Sequence, residues 1–116
     1  MKRQGQGKKE NYLERKPARL GTIRWSIDDA GIVTLDVENK GIFHWLAQKL
    51  LHKPRISHIH LDEFGSFIWP LIDGQMNIIA IGVLVDERFG EKASPLYERL
   101  AKYFQVLENN HFIEWK

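Results

Sequence analysis

The chain has 116 residues, a formal net charge of +2 and no cysteine. That length allows one domain around one core, and the absence of cysteine excludes disulfides, thiolate zinc sites and cysteine-held iron–sulfur clusters. No apolar run approaches the roughly 20 residues that span a bilayer, and no uninterrupted apolar stretch follows the basic N-terminus, so no membrane helix or secretory signal is expected and the expected location is cytoplasmic.

Charge is unevenly spread. Up to Arg19 there are seven basic and two acidic residues, a balance of +5 that leaves −3 for the rest of a +2 chain. The mildly acidic remainder makes nucleic acid an unexpected partner. Residues 1–10 are polar, glycine-containing and basic, and read as a disordered tail ahead of a single domain over 11–116. Residues 11–19 form a lead-in whose Tyr12 and Leu13 can pack on the domain edge.

Residues 22–28 alternate, with Ile23, Trp25 and Ile27 on one side, as a half-buried strand does. Asp28-Asp29-Ala30-Gly31 is a turn. Alternation resumes over 32–38 with Val33, Leu35 and Val37, completing a hairpin. The period then changes. Phe43, Leu46, Ala47 and Leu50 share one face of a helix over 41–52, which Pro54 stops. Residues 55–61 alternate again as a third strand.

Asp62 caps a helix over 63–72 whose apolar stripe is Phe64, Phe67, Ile68, Leu71 and Ile72. Pro70 removes one internal hydrogen bond and is expected to kink it. Asn77 caps a second helix over 78–88, closed by Gly90, with Ile78, Ile81, Val85 and Phe89 facing the core. Ser94-Pro95 reads as a cap followed by proline at the first helical position. The third helix carries Leu96, Leu100, Tyr103, Phe104 and Leu107 on one face and runs to about Asn109, with a last extended segment over 112–115. Strand–strand–strand–helix–helix–helix predicts an α+β domain of winged helix-turn-helix type. A three-stranded antiparallel sheet would pack on a three-helix bundle, with a short helix inserted between strands two and three.

Leu61-Asp62-Glu63-Phe64-Gly65-Ser66-Phe67-Ile68-Trp69, followed by Leu71-Ile72-Asp73-Gly74, resembles the opening motif of PqqD-like proteins, named for coenzyme PQQ synthesis protein D. Phe89-Gly90 and Leu96-Tyr97-Glu98-Arg99-Leu100 continue the likeness, which is strongest over 56–113. Lys40-Gly41-Ile42-Phe43, Ala47-Gln48-Lys49-Leu50 and Lys53-Pro54 resemble the insertion of a single-domain subgroup. The resemblance implies a non-enzymatic RiPP recognition element. Such a module binds the leader of a ribosomally made precursor peptide and delivers it to a modifying enzyme, often a radical-SAM enzyme. It further implies that the leader adds as a strand beside the third strand and packs on the third helix. The implied peptide-binding residues are Arg55, Ile56, Ser57, His58, Ile59 and His60, with Leu96, Arg99, Leu100, Lys102 and Tyr103. The chain departs from the family at Pro70, at Asn77 where many members have Thr, and at Ile79 and Ala80 where acidic residues are usual. Ile79 and Val83 then form a second apolar stripe, a candidate partner surface for the enzyme or for a homodimer.

Other chemistry is weakly signalled. His58 and His60 leave one face of a strand, a spacing that can hold a metal, but no third ligand is placed by sequence, so neither metal nor cofactor is expected. Asp62-Glu63 is explained by helix capping. No nucleophile, phosphate-loop or zinc-protease motif is present. The alternative reading is a winged-helix DNA-binding regulator using the third helix, although Glu98 offsets Arg99 and Lys102 there.

Overall fold

The computed structural model describes residues 12–38 and 56–116. The basic tail, the inserted helix over 41–52 and Arg55 lie outside the described residues. The described elements are β1 (Pro17–Arg19), β2 (Arg24–Ile27), β3 (Val33–Glu38), β4 (Ile56–His60), α1 (Glu63–Ile68), α2 (Ile78–Phe89), α3 (Leu96–Asn109) and β5 (Ile113–Trp115). They form an α+β domain whose main sheet is antiparallel in the order β2-β3-β4. The three strands expected from alternation are therefore present; β2 and β3 start two residues and one residue later than expected, and β2 and β4 end one residue earlier.

Register explains which side of the sheet is buried. Leu35 lies between Trp25 and Ile59, and Val33 pairs with Ile27. Val33 and Leu35 on the central strand are fully buried, whereas Ile27 remains 52% exposed. β2 is thus not the half-buried strand that its alternation predicts. At a sheet edge the helical layer covers the central strand first and reaches the flank only in part. The hairpin turn is built by Asp28, whose carboxylate oxygen accepts from the N–H groups of Ala30 and Ile32, each at 2.9 Å.

The helices supply the rest of the core: Ile68, Trp69 and Ile72, then Ile78, Ile81 and Val85, then Leu100, Phe104 and Leu107. Asp62 and Asn77 cap α1 and α2 as expected, accepting from Gly65 N–H at 2.7 Å and Ala80 N–H at 2.8 Å. Ser94 does not cap α3. Pro95 holds the N-cap position, and no side chain caps the helix. Gly82 lets α2 and α3 approach closely, since a Cβ there would lie 3.0 Å from Leu100 Cδ1 and 3.1 Å from Tyr97 Cε1.

Pro70 shortens the first helix rather than merely kinking it. α1 ends at Ile68, and the chain continues as one 3-10 turn, Trp69–Leu71. Arg19 gathers the carbonyls at this helix end: its Nη1 donates to Trp69, Pro70 and Ile72 oxygens at 3.2, 2.9 and 3.0 Å, and its backbone N–H also donates to the Ile72 oxygen at 3.2 Å. Arg19 belongs to β1, which pairs with β5 in a second, two-stranded sheet. Residues 17–19 fall in the expected lead-in, because three residues carry too little periodicity to register as a strand. Tyr12 and Leu13 pack against the core as expected, and the Arg15 guanidinium lies 4.2 Å over the Trp115 ring.

Sheet and helices are joined through Ser66, which is 2% exposed. Its Oγ accepts from Val33 N–H at 2.8 Å and donates to the Leu61 carbonyl at 3.2 Å. Replacing Ser66 by Ala would leave the buried Val33 N–H without its partner, at a cost of about 1–3 kcal/mol. Denaturant unfolding of Ser66→Ala should show a loss of that size with an unchanged slope. An unaltered midpoint would contradict this role.

Candidate functional site

β4 has β3 on one side, and among the described residues no strand lies on the other. Hydrogen-bond phase fixes which of its backbone groups face outward. Leu61 N–H donates to Val33 oxygen at 2.9 Å, and the register pairs Leu35 with Ile59 and Val37 with Ser57. Antiparallel strands alternate bonded and non-bonded pairs. Ser57, Ile59 and Leu61 therefore direct their backbone groups at β3, and Ile56, His58 and His60 direct theirs away from it.

Side chains follow the same alternation. Ile59 shares the face of Leu35, as the sequence favoured, yet stays 37% exposed; Ile56 is 46% exposed on the opposite face. His58 and His60 share that opposite face and are tethered across the strand pair. His58 Nδ1 lies 2.7 Å from Asp36 Oδ1, and His60 Nδ1 lies 2.8 Å from Thr34 Oγ1. Among the described residues no group of three or more His, Cys, Asp or Glu side chains is placed to hold a metal ion.

The expected α3 residues separate into two sets. Leu100 is fully buried and belongs to the core, because it packs down onto α2. It cannot contact a docked peptide, and its place in the expected binding set is corrected accordingly. Leu96, Arg99 and Tyr103 are half-buried, and Lys102 is exposed. Tyr103 donates its hydroxyl to the Gly65 carbonyl at 2.9 Å. A Cβ on Gly65 would meet Tyr103 Cε1 at 3.1 Å, Asp62 Oδ1 at 3.2 Å and Leu61 Cβ at 3.5 Å, so a side chain there would crowd the ring and the cap. Arg99 lies 4.2 Å over the Phe64 ring and donates to the Lys92 carbonyl at 2.7 Å.

Leu61 and Tyr103 therefore meet over the buried Gly65, with the half-buried Phe64 and Arg99 beside them. The residue-by-residue reading assigned Phe64 and Gly65 to a helix stripe and a motif. The usable signal is a glycine inside a helical pattern, which costs about 1 kcal/mol relative to alanine. An open cleft of about 960 Å³ is lined by Arg24, Asp36, Glu38 and His111 among others; of the expected binding residues Ile56 lines it, and none of the α3 candidates do. Ile79 and Val83 stand 39% and 50% exposed on α2, off its buried stripe.

Burial and the neighbouring Asp62 charge raise the Tyr103 hydroxyl well above the ordinary tyrosine range. Burial, then the Glu108 charge, pushes Tyr12 up to about 12 from 10.0. Both favour the neutral form in the folded state. Their contribution is complete below the unfolded value and is lost as pH rises through the folded one. Melting temperature should therefore fall as pH climbs from 10.0 through about 12, and Tyr103→Phe should flatten the decline. Parallel profiles for the two proteins would contradict the assignment.

The chain matches no family model, no curated protein and no solved structure.

Proposed function

We propose that the chain is a PqqD-like, winged-helix RiPP recognition element with no chemistry of its own. It binds the leader of a ribosomally made precursor peptide as an added strand and presents it to a modifying enzyme of radical-SAM type in the cytoplasm. The observation that carries the reading is the β4 edge. The outward backbone groups of Ile56, His58 and His60 can pair with any extended chain, which gives affinity without sequence choice. Choice of chain comes from the side chains beside the edge. Ile59, Phe64 and Tyr103 offer apolar contact, and Arg99 and Lys102 offer positive charge to a leader carboxylate. Leu96 borders the same helix face.

Ordering a flexible leader costs free energy, so affinity for the isolated domain is expected at about micromolar to tenths of micromolar. An amide-shift titration with the leader of a precursor encoded beside this chain should move residues of β4 and of the first turns of α3. A stronger response to duplex DNA than to the peptide would favour the winged-helix regulator instead and end this reading.

Ile79 and Val83 lie four residues apart on α2, one turn of helix, and present apolar side chains that the core does not use. On this reading they meet the enzyme. Changing both to Glu should leave the melting temperature nearly unchanged and weaken capture of the enzyme in a pull-down. Unfolding of the double variant would show that both are core residues.

A further inference from the structure

The sheet has a second open edge. β2 pairs only with β3 among the described residues, and its four residues are all exposed. Asp28 N–H donates to Ile32 oxygen at 3.0 Å, and the register pairs Ser26 with Thr34 and Arg24 with Asp36. By the same alternation, Trp25 and Ile27 direct their backbone groups away from β3.

We propose that this edge pairs antiparallel with the β2 edge of a second copy, about a twofold axis through Ser26. In that register Trp25 of each copy faces Ile27 of the other, so all the outward backbone groups of the two residues find partners. The pairing also covers apolar surface at Ile27, now 52% exposed, and Trp25, now 36% exposed. On the opposite face Arg24 stands across from Asp28 of the second copy. Arg24 has no ion-pair partner among the described residues. Asp28 spends one carboxylate oxygen on its own turn, at Ala30 and Ile32, and keeps the other for this contact.

Charge selects this register over its neighbours. Centring the axis on Arg24 or on Asp28 sets like charges opposite each other, which is destabilising. Centring it on Trp25 or Ile27 leaves both charges without an opposite partner. Only the Ser26 register satisfies backbone and charge together. The contact uses four-residue strands and falls below the roughly 1,000 Å² of a stable interface, so association is weak and appears at high protein concentration. The result is a six-stranded sheet with a β4 edge at each end, both open to an added strand among the described residues.

Because the chain has no cysteine, a single introduced thiol tests the register cleanly. Ser26 and its copy form a non-hydrogen-bonded pair, with Cα atoms about 4.5 Å apart, inside the range a disulfide accepts. Under mild oxidation Ser26→Cys should cross-link to a covalent dimer much faster than Ser94→Cys, which places a thiol on an exposed loop. Sedimentation of the unmodified chain should show concentration-dependent self-association, weakened about tenfold in Arg24→Glu by the like-charge pairs. Equal cross-linking of the two cysteine variants overturns the proposal. So does a dimer that Arg24→Glu leaves unchanged, since it must use another surface.

Discussion

In an unbroken antiparallel ladder, Val33 N–H and the Leu61 carbonyl would bond directly, as Leu61 N–H and the Val33 carbonyl do at 2.9 Å. Here the hydroxyl of Ser66 stands between them, accepting from one strand and donating to the other. A side chain from the first helix thus forms part of the last rung of the sheet. That single insertion fixes where β4 ends, where α1 begins and how far the helical layer sits from Val33 and Leu35. Asp62 reinforces it from the same turn: its carboxylate receives Gly65 N–H at 2.7 Å and its carbonyl receives Ser66 N–H at 2.8 Å. Because Gly65 has no side chain, Tyr103 can close against this turn and tie α3 to the same point.

A second constraint acts at the other end of α1. Proline ends the helix after six residues, and the carbonyls of Trp69, Pro70 and Ile72 are collected by one guanidinium, that of Arg19. The same group lies 5.3 Å over the Trp25 ring, and Trp25 meets Trp69 edge-on with ring centroids 6.4 Å apart. β1, β2 and the end of α1 are therefore linked through a single side chain. The C-terminal strand is tied to the segment before β1, where Lys116 N–H reaches the Lys16 carbonyl at 2.8 Å, and to α3, where Trp115 Nε1 donates to Glu108 at 3.0 Å.

Much of this was legible in the residues. Alternation over 32–38 gave the central strand because both its neighbours impose the same period, and Asp62 and Asn77 announced the two caps they make. The β1–β5 pair was not legible, since three-residue strands depend on partners almost a hundred positions away. The cap at Ser94 failed because local preference was outweighed by where Pro95 places the helix start. Leu100 shows the limit for the site: periodicity put it on the same face as Tyr103, yet a helix face is wide enough for one to be buried and the other to reach the margin. The tilt of Arg99 onto Phe64 depended on the packing of α1 against α3, which no spacing encodes.

Strand addition at β4 depends on an alternation that backbone amides report one at a time. Hydrogen exchange should find the Ile59 and Leu61 amides slow in the free domain, because they bond to β3, and those of His58 and His60 fast. Saturating leader peptide should slow His58 and His60 and leave Ile59 and Leu61 little changed, the signature of a strand added on the outer edge. A leader that binds while the His58 and His60 amides keep their free rates would show that it docks elsewhere and contradict the account.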